Sequence, residues 1–236
     1  MKNILLMLGM GLFQPLFAQK QVVVDPNAQV RVIQGSFRAL SVSSGIEVFL
    51  NQADEYGLAV SSSREKNIDQ IMTEIVNGEL KIYLKDKSLR IGNQKYRAYV
   101  AAPGIDKIRV SSASDVVIAG VWKADSLKIN VSSASDLVGE LDVKYLRVNV
   151  SGASDVILSG KADAVKMDAS GASDIKAFNL SAGTGHLDAN GASDIQVTVT
   201  GELNAEASGA SYIKYRGSAN VVQSNVSGSS TIKKGK

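Results

Sequence analysis

The sequence SGASD at residues 151–155 is one of seven variants of a short phrase that recurs through the second half of the chain. The variants are SSASD at 111–115 and 132–136, SGASD at 151–155 and 170–174, NGASD at 190–194, SGASY at 208–212 and SGSST at 227–231. Their fourth residues are separated by 21, 19, 19, 20, 18 and 19 residues. A unit this short cannot enclose a core alone, so successive units must stack. The period therefore predicts an all-β fold, a parallel β-helix (solenoid) with about 19–20 residues per coil.

Apolar residues occupy every second position before the phrase, which is typical of a strand with one buried face. In three successive units these residues are Leu127, Ile129 and Val131, then Leu146, Val148 and Val150, then Val165, Met167 and Ala169. A further apolar residue follows each phrase, and its full burial would contribute roughly 1.5–3 kcal/mol. Small residues inside the phrase predict a tight bend, with a positive φ angle at Gly171 and an inward-facing alanine at Ala172.

The N-terminal half carries strand signals without the clean repeat. Asn77-Gly78 separates two β-rich runs, a pattern that predicts a two-residue hairpin turn. The stretch 42–48 resembles the repeated phrase and indicates a degenerate first coil. Because the open ends of a solenoid must be covered, we expect this half to cap the stack or to continue it irregularly.

The first residues have the features of a secretory signal peptide, with a charge at Lys2, an apolar run from Ile4 to Phe13 and a small residue at Ala18. The run is too short for a spanning helix. We therefore expect export to the periplasm, the outer-membrane surface or the extracellular space, and no transmembrane segment in the mature chain. The predicted organisation is a signal peptide at 1–18, an N-terminal lead-in at 19–36, an irregular β region (a cap or first coils) at 37–110 and regular β-solenoid repeats at 111–236.

The composition argues against several classes of protein. The chain has no cysteine, which excludes disulfides, thiolate metal sites and a cysteine nucleophile. A net charge of +3 is too balanced to indicate nucleic-acid binding. His186 is the only histidine, and neither a Walker loop nor a G-x-S-x-G nucleophile motif is present. We therefore expect no catalytic residues and no enzymatic activity.

Stacking would bring the aspartates that end the phrase onto one edge. They are Asp115, Asp136, Asp155, Asp174 and Asp194. Charges about 4.8 Å apart repel one another by roughly 0.9 kcal/mol in water. In one interpretation the carboxylates accept hydrogen bonds from bend N–H groups and serines, and no cofactor is needed. In the other, the five aspartates bind calcium, although the nonapeptide calcium repeat is absent. The five acids look equivalent, whereas acid–base catalysis needs unequal ones.

A second predicted column lies on the outward face of the strand before the phrase. It consists of Lys107, Lys128, Arg147, Lys166 and His186, with Asn130 and Asn149 beside it two residues later. A flat polar face of this kind can hydrogen-bond a ligand, and we take these seven residues as the candidate binding face for a carbohydrate or for a protein of the envelope or a host surface. A solvated face of alternating charge has the same pattern. For Trp122, core packing is favoured over sugar stacking.

The chain resembles the auto-transporter adhesin head GIN domain family over about residues 36–220. The resemblance rests on three features together: the strands from Phe37 to Leu50, the strand–turn–strand at 75–82 and the serial SGASD motifs. It implies a secreted right-handed parallel β-helix of the Gram-negative cell envelope, and it brings no set of functional residues. We therefore expect a non-catalytic exported module, an adhesin head or a structural or binding scaffold. The alternatives are a carbohydrate-active enzyme on a β-helix scaffold and a periplasmic envelope assembly or stress factor.

Overall fold

The computed structural model describes residues 24–86 and 94–235. The predicted signal peptide and residues 19–23 of the lead-in lie outside the described residues. Within these ranges the regular structure consists of 17 strands and one 3-10 helix, Glu65–Gln70. The strands are β1 (Gln29–Val30), β2 (Ala39–Val42), β3 (Ile46–Gln52), β4 (Gly57–Ser62), β5 (Ile71–Val76), β6 (Glu79–Leu84), β7 (Tyr96–Ala102), β8 (Lys107–Val110), β9 (Asp115–Ser132), β10 (Asp136–Ser151), β11 (Asp155–Ala169), β12 (Asp174–Ala189), β13 (Asp194–Val199), β14 (Glu202–Ala207), β15 (Tyr212–Arg216), β16 (Asn220–Val226) and β17 (Thr231–Lys234).

The predicted parallel β-solenoid is confirmed, with about seven turns. The long strands β9 to β12 pair in parallel, and the stack continues through β13 to β17. Equivalent residues of neighbouring coils meet, since Val150 pairs with Val131 on one side and with Ala169 on the other. All three side chains are at most 2% exposed. The alternation read from the sequence therefore builds one continuous apolar core.

Each bend of the repeated phrase joins two outward surfaces of the solenoid. We call the first the pre-bend sheet, formed by β2, β6, β8, β14, β16 and the C-terminal halves of β9 to β12. The second, the post-bend sheet, is formed by β3, β7, β13, β15, β17 and the N-terminal halves of β9 to β12. Because side chains alternate along a strand, each sheet sends one set of columns into the core and the other toward solvent.

The bend itself differs from its prediction in one respect. Gly171 has the predicted positive φ, +80°. Ala172, however, is exposed, and the buried side chain is that of Ser173. The same holds in the other coils, where the buried serines are Ser114, Ser135, Ser154, Ser193 and Ser211. The prediction of an inward alanine was wrong because the serine, two residues before the buried Ile175, already lies on the inward face of the next strand.

Backbone groups satisfy the buried serine hydroxyls. Ser173 Oγ donates to the carbonyl of Ser170 at 2.8 Å, and Ser193 Oγ donates to the carbonyls of Asn190 and Ala169 at 2.8 and 3.0 Å. In an earlier coil the hydroxyl accepts instead, since the N–H of Ser135 donates to Ser154 Oγ at 3.2 Å. The inner serine column is therefore a partnered polar seam within an apolar core.

The direction of the hydrogen bonds across the bend depends on its second residue. In the first regular coil, Ser112 and Ala113 both have positive φ angles, and the N–H of Ala113 donates forward to the carbonyl of Ser133 at 3.0 Å. At the bends from Gly171 onward the direction is reversed, so that the N–H of Ala172 donates back to the carbonyl of Gly152 at 2.7 Å. The change from serine to glycine therefore selects between two bend conformations within one solenoid.

The N-terminal strands enter the stack out of chain order. β2 lies between β6 and β8, and β3 lies between β7 and β9, so the coil at 39–52 is inserted between two later ones. Its parallel pairing confirms a coil at 42–48, but this coil is not the first of the stack, because β6 and β7 lie beyond it. The predicted hairpin at Asn77 and Gly78 is also confirmed, with φ angles of 52° and 72° between the antiparallel strands β5 and β6. Beyond β6 and β7 both sheets continue with antiparallel strands, since β5 pairs with β6, β4 with β7 and β1 with β4. That this region caps the stack stays a prediction.

Candidate functional site

The five basic residues of the candidate binding face lie in one column on the pre-bend sheet. Strand pairing places Lys107 next to Lys128, Lys128 next to Arg147, Arg147 next to Lys166, and Lys166 next to His186. Arg147 and His186 are exposed, and the three lysines are partly exposed. We call this set the basic column. At the usual strand separation, its members follow one another at about 4.8 Å along the solenoid axis.

A second outward column runs beside the basic column, two residues further along each strand. In stack order it contains Arg109, Asn130, Asn149, Asp168, Asp188 and Glu206. Asn149 Nδ2 donates to Asn130 Oδ1 at 2.8 Å, which fixes the two predicted asparagines as an amide pair. The column is thus basic or neutral toward the N-terminal end of the solenoid and acidic toward the C-terminal end.

Few cations of the basic column are neutralised by the chain itself. Arg147 Nη2 lies 3.5 Å from Asp168 Oδ2, and the neighbouring Arg109 pairs with Glu79. Within residues 24–86 and 94–235, none of the ion pairs involves the ammonium groups of Lys107, Lys128 or Lys166. Adjacent like charges at this spacing cost about 0.9 kcal/mol per pair in water, a repulsion that a bound anion would relieve.

Beside the basic column the pre-bend sheet has a shallow hollow of about 440 Å³. Tyr145 is 64% exposed at its edge, and its partners in the adjacent coils are the small residues Ser126 and Ala164. The hollow is also lined by Arg147, Lys166, Thr184, His186 and Glu202. Tyr145 was not among the predicted residues of the binding face, although its place two residues before Arg147 puts it on the same outward face. Trp122, in contrast, is fully buried, which confirms core packing.

The five aspartates form their own column on the post-bend sheet. Asp136 pairs in register with Asp115 and Asp155, and the column continues through Asp174 to Asp194. Lys176 Nζ lies 3.2 Å from a carboxylate oxygen of both Asp155 and Asp174. The ammonium group of Lys176 thus reduces the repulsion between the carboxylates of Asp155 and Asp174. In the part of the chain that the structure describes, no group of three or more His, Asp or Glu side chains could hold a metal ion. Calcium binding by these aspartates stays a prediction.

Comparison with known proteins agrees with this architecture. The model of the family described as "Putative auto-transporter adhesin, head GIN domain" matches residues 36–219. The chain belongs to this family. A search of curated protein sequences finds no match to this head GIN domain.

Solved structures similar to this head GIN domain show the same fold at low sequence identity. A putative adhesin from Bacteroides fragilis is 21% identical with a TM-score of 0.78, over 89% of this chain and 98% of that one. A protein from Parabacteroides distasonis described as a putative lipid binding protein is 20% identical with a TM-score of 0.66, over 90% and 98%. A putative adhesin from Parabacteroides merdae is 17% identical with a TM-score of 0.67, also over 90% and 98%. Among the described residues of this head GIN domain, no helix is long and apolar enough to cross a membrane.

The aspartates of this head GIN domain are not equivalent, contrary to the expectation from their repeated context. Burial, with the nearby carboxylates of Asp136 and Glu47, raises the pKa of Asp115 above its ordinary value. Burial and the charge of Asp174 likewise raise the pKa of Asp194. Lys176 forms ion pairs with Asp155 and Asp174, whereas among the described residues neither Asp115 nor Asp194 forms one, and the charge of Lys176 offsets only part of the rise at Asp194.

Replacing Asp115 by asparagine is expected to raise the melting temperature at pH 7 slightly, by about 1 °C or less, because the residue is exposed and solvent screens its charge. The folded state binds the proton of Asp115 more tightly than the unfolded chain does, so its charged form opposes folding. Stability therefore falls as the pH rises from the unfolded pKa of about 3.9 through the folded pKa, and the advantage of the variant should vanish below about pH 4. Thermal melts of both proteins from pH 3 to 8 measure the difference.

The matched control for this variant is Asp155→Asn. Asp155 is paired with Lys176, so the same chemical change should leave the stability unchanged or reduce it by less than about 1 kcal/mol. Millimolar calcium is expected to leave both melting temperatures unmoved. A rise of several degrees with calcium, lost in the Asp155 variant, would instead establish the aspartate column as a calcium site.

Proposed function

We propose that this head GIN domain is an exported, non-catalytic binding module of a Gram-negative cell envelope, acting as an adhesin head or as a binding scaffold. The observation that carries the proposal is the basic column, in which strand pairing aligns Lys107, Lys128, Arg147, Lys166 and His186 on a flat outward surface. The family description and the adhesin names of two structural neighbours support adhesion, and the leader-like residues 1–18 support export.

The geometry of the hollow favours binding over catalysis. Glycoside hydrolysis uses two carboxyl groups on either side of the scissile bond. Among the residues that line the hollow beside the basic column, Glu202 is the only carboxylate. The aspartate column has carboxylates at suitable spacing, but it lies on the post-bend sheet as a regular array, which any repeated acid in a solenoid would form. A carbohydrate or a surface protein bound on the face without turnover therefore fits these residues better.

Export and binding are tested together on the full chain carrying an epitope tag after Lys236. After fractionation of a Gram-negative host, we expect the protein in the periplasm, in the outer membrane or in the medium, with an N-terminus near Gln19 by mass spectrometry. The purified protein should be retained on a panel of immobilised glycans and envelope extracts without releasing any product. A cytosolic protein that retains Met1, or cleavage of the glycans it binds, would contradict the proposal.

A further inference from the structure

The charges on the pre-bend sheet specify the sign of its ligand. Lys107, Lys128 and Lys166 are in one column with Arg147, and no carboxylate of the described chain pairs with the three ammonium groups. Elsewhere on this solenoid lysines of neighbouring coils are paired, as Lys144 with Asp125 at 2.7 Å and Lys161 with Asp142 at 3.3 Å. What distinguishes the basic column is that its unpaired ammonium groups lie in one line with Arg147, where a single negatively charged ligand can contact several of them.

The shape of the surface specifies an extended ligand. From Lys107 to Lys166 the column crosses three strand separations, which is about 14 Å along the solenoid axis. The column is a continuous outward surface in that direction, and the shallow hollow of about 440 Å³ lies beside it. A compact anion would contact one or two of these cations, whereas a linear polymer can contact all of them.

Tyr145 adds a surface for a sugar ring. Its side chain stands between the smaller Ser126 and Ala164, so the neighbouring coils leave the aromatic ring uncovered at the edge of the hollow. Aromatic side chains with an apolar body and a polar tip suit ligands that have both apolar and hydroxyl surfaces. Thr184, Asn204 and Glu202 supply hydrogen-bonding groups around the same hollow.

We propose that the basic column binds an acidic polysaccharide that lies along the solenoid axis, with its anionic groups against the lysines and one sugar ring against Tyr145. The inference rests on the proposed binding function and specifies its ligand. The neighbouring column limits the contact region, because Asp168, Asp188 and Glu206 make the C-terminal part of the sheet acidic. The polymer therefore follows the basic column itself from Lys107 to His186, and it extends over the neighbouring column only at Arg109, Asn130 and Asn149.

Other polyanions fit this surface less well. A nucleic-acid duplex would extend its phosphates over the acidic part of the sheet, and the net charge of +3 is far from the strongly basic balance of nucleic-acid-binding domains. An anionic membrane surface would call for exposed apolar anchors beside the cations. Among the exposed apolar side chains of the described residues, Tyr145 lies beside the basic column, whereas Val221, Val222 and Val226 lie on β16, two strands beyond His186.

The test measures binding of the full chain to two pairs of polymers that differ only in charge. Polygalacturonate is compared with its methyl ester, and dextran sulfate with dextran, by biolayer interferometry. We expect binding to one or both acidic polymers, and at least about tenfold weaker binding to the neutral partner of each. Raising the salt from about 0.05 M to about 0.5 M should weaken the binding, because exposed charges are then screened. The carboxylate and sulfate pairs show which anionic group is preferred.

Two double variants with the same change in net charge locate the site. Lys128→Gln with Lys166→Gln is expected to reduce affinity for the acidic polymer about tenfold and to flatten its salt dependence. The second double variant, Lys144→Gln with Lys161→Gln, changes a different side of the coils. It should leave the affinity and its salt dependence unchanged. Tyr145→Ala should weaken binding while keeping the salt dependence of the wild type. Melting temperatures establish that all three variants are folded.

The alternative outcomes would contradict different parts of the proposal. Equal binding of neutral and acidic polymers would overturn the acidic ligand and leave the binding module intact. Binding of envelope proteins without any binding of acidic polymers would likewise overturn the acidic polysaccharide and leave the binding module intact. Equal losses in the two double variants would show that net charge, rather than the basic column, governs binding. Tighter binding to DNA or to vesicles of anionic phospholipid would overturn the polysaccharide in favour of those ligands.

Discussion

Replacing Gly160 by alanine is expected to reduce the free energy of unfolding by about 3 kcal/mol or more. Gly160 has a φ angle of +102°, a conformation that side chains rarely adopt. In addition, the carbonyl oxygen of its strand partner Leu141 occupies the place that an alanine Cβ would take. Because that oxygen belongs to the backbone of β10, a rotamer change cannot relieve the clash. The two coils would have to move apart where they pack most closely. Chemical denaturation of the purified protein measures the loss.

Gly120→Ala is the matched control, since it separates the cost of the backbone conformation from that of the clash. Gly120 also has a positive φ, +76°, but an added Cβ would meet nothing within 4 Å. We expect it to lose only about 1–2 kcal/mol, the cost of a left-handed conformation. If the two variants were equally stable, the close approach of Gly160 to Leu141 would not contribute to the packing of the coils.

The fold could be predicted because one physical rule accounts for most of it. Once the period is about 19 residues, stacking in register makes equivalent residues neighbours, and alternation then decides which columns are buried. Val131, Val150 and Ala169 follow this rule, and so do the basic column and the aspartate column. Local chemistry was sufficient for these features, since every coil repeats the same strand pattern.

The N-terminal arrangement could not be predicted from the same rule. The coil at 39–52 pairs with residues 79–84 and 96–102 on one side and with the start of the regular repeat on the other. This order depends on contacts between segments far apart in the chain, which no local pattern encodes. The Asn77-Gly78 turn predicts a hairpin, but it does not determine which coil the hairpin joins.

The errors at the bend and at the site have a common origin in the alternation of side chains. Ala172 was taken as inward because it is small, although counting back from Ile175 puts Ser173 on the inward face. Tyr145 was not predicted because the binding face was defined by its charged and amide side chains, although Tyr145 shares the outward face of Arg147. Side-chain direction, rather than residue type, would have placed both correctly.

Replacing Trp122 by alanine is expected to reduce the free energy of unfolding by about 3–5 kcal/mol. Trp122 is among the largest fully buried side chains of the described structure, with 0% exposure. It pairs in register with Leu141, which is also fully buried. The backbone of the next residue, Lys123, is held by the side chain of Gln52 from the neighbouring coil. Gln52 Oε1 accepts from the N–H of Lys123 at 2.9 Å, and Gln52 Nε2 donates to the carbonyl of Lys123 at 3.0 Å. The anchored backbone there cannot collapse into the cavity that alanine would leave.

Trp122→Phe distinguishes ring volume from the polar atom of the indole. Among the described residues, Trp122 Nε1 has no hydrogen-bond partner, and a buried unpaired donor costs about 1–3 kcal/mol. Phenylalanine removes that donor while keeping most of the apolar ring, so the two changes partly offset each other. We therefore expect a loss below about 1.5 kcal/mol, well short of that for alanine. Denaturation midpoints of both variants test this, and equal losses would contradict it, because they would mean that phenylalanine fills the site no better than alanine.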